Sequence, residues 1–438
     1  MHNSILKTTL SAVALLALSA CGPETSETTA TSSENGQISE RYVKVILGIG
    51  EHENGYIDAY YGPKEWAEAV KNNSKDLAEL KAEVASLQKL VDKTAPTAKT
   101  EIEKKRFIFL AKQLIAADAR IRMLQGEKFS FDEETRLLFD AVAPKVTKDE
   151  LEAALAKLED VVEGEGPLRD RYLAFTQQYN IPADKLDAVF DAAIQACKAK
   201  TAEHLDLPEN ESFTTEFVTD KPWSGYNWYQ GGANSLIQVN TDLPSPMSAA
   251  VNLGCHEGYP GHHVYNAMLE QKLVNERGWT EYSVYPLYSP QSFIAEGTAS
   301  YGRFMAFPGA EQNEFEKTVL YPLAGLDPAM GDQYRDTLAA LKGLSYARIE
   351  GARRYLDGQL TREETIDWLA RYNLISRERA EQSLDFIETY RGYVINYTLG
   401  ADLSEAYVDK HGGTDHSARW DAYEKLLSEP FTASMMKD

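Results

Sequence analysis

Apolar residues recurring every three or four positions dominate the first half of this chain and commit it, before anything else, to packing helices. Leu77, Leu80, Val84, Leu87 and Val91 keep that spacing, as do Phe107, Leu110, Leu114, Ala117, Ile121 and Leu124. Each set lines one side of a helix and needs an apolar partner. A coiled-coil dimer would supply one, but the pattern lasts only a few heptads and Ala95-Pro96 interrupts it, so packing within one bundle is expected. Further helices are read over about 131–143, 148–162, 166–178 and 184–204. Towards the C-terminus, Thr361 and Glu364 fit a capping box ahead of Ile366 and Leu369, and another helix follows Ser376.

The middle of the chain breaks this pattern. Pro222 to Gly232 is crowded with Trp, Tyr and Gly. The run from Ser235 to Asn240 then reads as a short strand closed by the turn-forming Asp242-Leu243-Pro244. Ser245 or Ser248 is placed to cap a helix running towards Cys255. The expected fold is therefore mainly α, a large helical assembly with a small central strand region. Its parts are read as an N-terminal helical bundle over 40–215 and a second region over 216–438.

The first residues do not belong to that fold. Lys7 precedes an apolar run from Thr8 to Leu18, and Leu18-Ser19-Ala20-Cys21 has the form of a bacterial lipobox. The run is short for a membrane span, so 1–20 is read as a lipoprotein signal peptide with Cys21 as the lipidated mature N-terminus. Residues 21–39, rich in Thr, Ser and Glu, are expected to be a flexible tether. The protein is accordingly expected to be lipid-anchored and extracytoplasmic, facing the periplasm from the outer membrane if the cell is Gram-negative, because Gly22 is not the Asp of inner-membrane retention. Lys and Arg number 45 against 67 Asp and Glu, a net charge of -22, which argues against nucleic acid as a partner. Beyond Cys21 only Cys197 and Cys255 remain, and two buried free thiols are the default reading, with one disulfide the alternative.

Three of the eight histidines lie in His256-Glu257-Gly258-Tyr259-Pro260-Gly261-His262-His263. A catalytic zinc site needs imidazoles, usually a further N or O ligand, an open position for water, and a carboxylate outside the ligand set to take that water's proton. On an unbroken helix His262 would be turned about 120° from His256, and His263 would lie about 10 Å further along the axis. Neither arrangement holds one ion. Pro260, however, lacks the N–H that would reach the carbonyl of His256, and its ring clashes with that carbonyl, so the helix should bulge or break there. Gly258 and Gly261 give the backbone room to bring a second imidazole under His256. Downstream, Glu296 stands in the apolar stretch Phe293 to Tyr301, either as a third ligand or as a solvent-facing helix residue. A Glu buried among such neighbours requires a compensating charge, and a metal ion is one. Cys255, beside His256 but on the other side of the helix, is read as a packed thiol rather than a ligand or nucleophile.

His-Glu-Gly-Tyr-Pro-Gly-His-His with the later Glu-Gly-x-Ala-x-Tyr resembles the bacterial family called domain of unknown function 885, which is similar to the gluzincin zinc metallopeptidases. The resemblance is specific over about 226–301 and extends loosely over most of the chain from about residue 40. It implies a helical metallopeptidase-like fold in which His256, His262 and Glu296 bind Zn2+ and Glu257 is the general base. Tyr397-Thr398-Leu399-Gly400 is similar to the family's closing Tyr-x-x-Gly element. Two departures stand out: Thr298 where the family often has Trp, expected to reshape a pocket wall, and the lack of a His in the hairpin around Asp357 to Trp368, which leaves the oxyanion donor open.

The expected activity is zinc-dependent hydrolysis of a peptide substrate. Tyr397 is the first candidate for a hydrogen-bond donor to the tetrahedral intermediate and Tyr301 the second. Ser235, Ile237, Val239 and Asn240, alternating as on an edge strand, are candidates to pair with an extended peptide. Tyr56, Asp58 to Pro63 and nearby His52 form either a structural turn or part of a cleft wall. Rival readings are a zinc hydrolase acting on a non-peptide amide or ester, and a binding lipoprotein whose metal is a staple. A retained Glu257 has no use in the last. No Gly-x-Ser-x-Gly elbow and no phosphate-binding glycine loop is present.

Overall fold

The computed structural model describes residues 24–221 and 223–437. The signal segment 1–20 and the lipidation site Cys21 lie outside the described residues. The fold is mainly α, with five short strands among the described residues. Helix α1 spans Glu24–Gly50 and so begins inside the segment expected to be a tether. Ile38, Tyr42, Val45, Ile46 and Ile49 are buried at helical spacing, and a helix nucleated by such a stripe propagates into polar sequence at little further cost. Ser39 is buried as well, donating to Glu281 Oε2 at 2.7 Å and accepting from Arg106 Nη2 at 3.0 Å.

Strand β1, Ile57–Tyr60, follows, and then α2, Leu77–Thr94, and α3, Glu101–Leu124. Asp76 and Thr100 close capping boxes with Glu79 and Glu103 at the starts of these two helices. Their buried faces are the expected ones, Leu80, Val84, Leu87 and Val91 on α2 and Phe107, Leu110, Leu114, Ala117 and Ile121 on α3. They meet each other and α1 within the chain. Helices Phe131–Phe139, Lys148–Glu159 and Leu168–Gln177 lead to α4, Leu186–Ala202.

Three strands make the central sheet: β2, Ser212–Val218; β3, Gly225–Gly231; and β4, Asn234–Asn240. Their order is β2-β4-β3, with β4 parallel to β2 and antiparallel to β3. The edge-strand role expected for Ser235, Ile237, Val239 and Asn240 is thereby corrected. Positive φ at Gly231, Gly232 and Ala233 turns β3 back along one side of β4, and β2 occupies the other, leaving no backbone groups for a peptide. The four side chains are structural: Ile237 and Val239 are buried, Ser235 Oγ meets His263 Nδ1 at 2.9 Å, and Asn240 Nδ2 donates to the carbonyls of Lys221 and Trp223 at 2.9 Å each. The edge towards the cleft belongs to β3.

Helix α5, Met247–Leu253, starts after Pro246 without a side-chain cap. Neither Ser245 nor Ser248 caps it, and Ser248 Oγ bonds Tyr334 Oη at 3.0 Å instead. Next come α6, His262–Leu269; β5, Val284–Pro286, antiparallel to β1; and α7, Pro290–Ala306. The C-terminal part holds α8, Ala347–Leu356; α9, Arg362–Tyr372, with its Thr361–Glu364 capping box; α10, Arg377–Tyr390, capped by Ser376; and α11, Ile395–Gly412. One large core cluster draws on residues from Ile38 to Met436, and a smaller one gathers Leu151, Leu158, Trp368 and Tyr372 among others. Helix α7 is buried on nearly every side, as a helix running through the middle of a domain must be. Among the described residues no helix is long and apolar enough to cross a membrane.

Candidate metal centre

After Leu253 the helix widens into a single π turn, Gly254–Gly258, which carries His256 and Glu257, and the chain then leaves helical geometry. The Tyr259–Pro260 bond is cis, and α6 begins afresh at His262. The segment is thus two helices meeting at a corner, so that of the bulge or break expected at Pro260 it is the break that forms. Pro260 removes the N–H that would have continued the first helix. Gly261 permits the corner: a Cβ there would stand 1.8 Å from the carbonyl oxygen of His256. Its own N–H bonds the carbonyl of Cys255 at 3.0 Å.

The corner brings His262 to His256, with ring centroids 4.8 Å apart and planes at 82°. His263 points elsewhere. It is buried against the sheet, with Nδ1 on Ser235 and Nε2 2.9 Å from Glu211 Oε2. The choice left open by the spacing is therefore made by the sheet, which takes one of two adjacent rings.

Glu296 comes from α7, where the two helices α7 and α11 cross at a pair of glycines. A Cβ on Gly297 would meet the Gly400 backbone at 2.6 Å, and one on Gly400 would meet the Gly297 Cα at 2.7 Å. This close approach sets Glu296, which is buried, beside the aromatic face that precedes and opens α11. Tyr393 Oη donates to Glu296 Oε1 at 2.7 Å. The other oxygen, Oε2, is buried without a hydrogen-bond partner. It lies 3.1 Å from His256 Nε2 and 3.5 Å from His262 Nε2. Burial by itself raises this carboxyl, but the two imidazoles outweigh it and hold Glu296 well below the usual carboxylate range. An unpaired anionic oxygen between two imidazole nitrogens is a donor set that suits a small divalent ion.

Glu257 also approaches, Oε1 standing 4.0 Å from His256 Nε2. Ligand-type atoms of His256, Glu257 and His262 lie within 4.8 Å of one another, but Glu296 Oε2 is nearer to His256, so of the two carboxylates Glu296 is the better placed to be a third ligand. Burial pushes the Glu257 carboxyl up to about 7, helped by Glu296 and Asp58 and opposed by His256. Its backbone carbonyl accepts from Asn227 Nδ2 at 2.7 Å. Gly225 on β3 keeps the carboxylate uncovered, since a Cβ there would come within 2.8 Å of Oε1.

The cluster opens into a cleft of about 1040 Å³, large enough for a peptide segment. Tyr397 lines it, its ring 6.2 Å from that of His256. Tyr301 does not: it faces the other side of α7, where its hydroxyl accepts from Arg419 Nη2 at 2.7 Å. This removes Tyr301 as an oxyanion donor. Thr298 is likewise no pocket wall, because it is buried and its hydroxyl bonds back to the carbonyl of Ile294 at 2.8 Å. Of the N-terminal segment, Asp58 reaches the cleft beside Glu53, Asn54, Gly55 and Ile57, while the segment's aromatic rings do not. Asp58 Oδ1 accepts from Tyr226 Oη at 3.0 Å, and burial raises its carboxyl to about 6. Tyr56 is packed in the core, Tyr60 and Tyr61 bond backbone carbonyls, and His52 Nε2 meets the carbonyl of Lys75 at 2.8 Å.

Cys197 on α4 and Cys255 in the π turn are joined by a disulfide with their Cα atoms 5.5 Å apart. The default of two free thiols is corrected, because α4 packs directly against the turn and brings the sulfurs together across 58 residues. Sequence reasoning also missed Tyr393 and Ser300. Both had a signal: Tyr393 precedes Tyr397 by one helical turn, and Ser300 follows Glu296 by one, placing its Oγ 3.5 Å from His256 Nδ1.

No family model and no curated protein matches the chain, so the resemblance to domain of unknown function 885 rests on its motif residues alone. Among solved structures, the chain is similar to a candidate lipoprotein from Colwellia psychrerythraea at 13% identity and a TM-score of 0.49, over 84% of this chain and 70% of that one. It is similar to an M32 carboxypeptidase from Deinococcus radiodurans R1 at 13% identity and 0.45, over 92% and 90%. A candidate lipoprotein of unknown function from Shewanella oneidensis gives 15% and 0.41, over 83% and 76%. Similarity at this level leaves function to be argued from the site.

Proposed function

We propose that the chain is a zinc-dependent peptide hydrolase in which His256, His262 and Glu296 hold the metal and Glu257 is the general base. The observation that carries this reading is the buried, unpartnered Oε2 of Glu296 facing two imidazole nitrogens, with a second, differently disposed carboxylate beside them. Zinc, when bound, supplies the Lewis acidity that activates water and polarises a carbonyl. The remaining steps belong to the chain. Tyr393 engages one oxygen of Glu296 and leaves the other free for coordination, and Ser300 fixes the ring of His256, which is how such partners orient ligands. Glu257, with a carboxyl near 7, accepts the proton of the attacking water and passes it to the leaving amine. Tyr397, kept protonated by burial, donates to the oxyanion from the cleft wall. The cleft-lining edge of β3 from Gly225 to Asn227 replaces β4 as the surface along which an extended substrate lies. The lipobox ending at Cys21 supports anchoring at the cell envelope.

Metal content and peptide hydrolysis measured together test the assignment. Glu257→Gln should retain zinc and lose turnover by about 10²- to 10⁴-fold, whereas Glu296→Gln should lose zinc. Unchanged turnover in Glu257→Gln rules out its role as base.

A further inference from the structure

Three arginines line the cleft, Arg303, Arg348 and Arg379. Two have partners within the fold: Arg303 Nη1 donates to Gln312 Oε1 at 2.9 Å, and Arg379 Nη2 to the carbonyl of Pro244 at 2.7 Å. Arg348, on α8, has none. Its Nε is buried without a hydrogen-bond partner, and the guanidinium makes no hydrogen bond or ion pair with any described residue. Its one contact of note is the Phe386 ring, 4.7 Å from Cζ to the centroid. The acids of the cleft are engaged elsewhere, Glu53 with Arg120, Asp58 with Tyr226, and Glu257 and Glu296 at the metal cluster. A guanidinium keeps its charge in proteins, and this one, half-buried in the cleft wall with no acid beside it, is placed to take an anion from outside the chain.

Where Arg348 stands narrows what that anion is. The Phe386 ring beneath it is 6.2 Å from the Tyr397 ring, which in turn is 6.2 Å from the His256 ring. Arg348, Phe386 and Tyr397 thus run along one wall of the cleft towards the metal cluster. A flat guanidinium fork matches a carboxylate in a bidentate pair, and a peptide lying along this wall presents one at its C-terminus. We propose that Arg348 binds the free α-carboxylate of the substrate, which makes the protein a carboxypeptidase rather than an endopeptidase. The chemistry rests on the peptide-hydrolysis reading of the preceding section, but carboxylate binding does not.

Calorimetry on the zinc-loaded protein separates the two. The probes are N-acetyl-Ala-Phe as free acid, the same peptide as its C-terminal amide, and N-acetyl-Ala-Glu amide, which carries only a side-chain carboxylate. The free acid should bind about 10- to 100-fold more tightly than either amide, the worth of charge-assisted hydrogen bonds. Arg348→Gln should abolish that preference and Arg348→Lys restore part of it, with circular dichroism showing that both variants are folded. Equal binding of acid and amides by wild type, a preference that survives Arg348→Gln, or tighter binding of the Glu amide overturns the proposal. Acid-selective binding that depends on Arg348, in a protein that cleaves no peptide, upholds the carboxylate site and refutes peptide hydrolysis.

Discussion

Replacing Gly297 by Ala tests whether the metal centre is built by the crossing of α7 and α11. The new Cβ would lie 2.6 Å from the Gly400 carbonyl carbon and 2.7 Å from its Cα and oxygen, where ordinary contact begins at 3.4 Å. Backbone faces backbone on both sides, so no side chain can swing away and the helices must separate by about 0.8 Å or more. Overpacking of this kind costs about 1–3 kcal/mol. The displacement acts on the neighbouring residue, Glu296, and on the 2.7 Å bond it receives from Tyr393. Loss of such an orienting bond weakens metal binding by about 10- to 100-fold. Chemical denaturation followed by circular dichroism reads the first quantity, and competition with a zinc-binding dye reads the second. Gly36→Ala is the control, for a Cβ there meets nothing within 4 Å and lies on an exposed part of α1, so it should stabilise by about 0.5–1 kcal/mol. If Gly297→Ala matches wild type in both stability and zinc affinity, the crossing does not set the site.

Opening the Cys197–Cys255 bond frees a loop with a sequence separation of 58, which should cost about 4 kcal/mol by loop entropy; denaturation midpoints that agree with and without reductant would contradict this. Burial alone would raise the Glu211 carboxyl, but bonds from His263, Lys198 and Tyr259 outweigh it and hold the group at about 2 against an ordinary 4.5. A depressed native value contributes stability above about 4.5 that drains away as pH falls towards 2, at most about 3 kcal/mol and less where solvent screens the exposed Lys198 partner. Glu211→Gln should therefore lose about 1–3 kcal/mol at pH 7 and flatten the acid limb, and an unaltered acid midpoint would show the ion cluster to be idle. Tyr397→Phe should slow turnover by about 10²- to 10³-fold, while Tyr301→Phe should cost at most about 1 kcal/mol of stability through its Arg419 bond and leave turnover alone. The reverse order would return the oxyanion role to Tyr301.

Helix positions were legible in the sequence because a helix is a local object. The stripes on α2 and α3, the box at Thr361, and the rupture at Pro260 all follow from hydrogen bonds and contacts spanning three or four residues. The same locality made His256, Glu257 and a second nearby imidazole stand out as a candidate metal cluster. Legibility ended where residues far apart in the chain choose their neighbours. β4 reads as an edge because alternation records which face is buried and says nothing of how many strands flank it, and β2 arrives in parallel from the far side of a turn. Whether His262 or His263 joins His256 was decided by Ser235 and Glu211, which capture His263. The tether became helix because Ile38 found a core, and the two thiols became a bond because α4 lies against the π turn. No local pattern marked Arg348, since an arginine without a partner looks in sequence like any other. Spacing along the chain encodes what a segment forms and which of its faces seeks burial; the unpaired charge on α8 and the unpaired oxygen of Glu296 exist only once packing has chosen which groups meet and which are left facing the cleft.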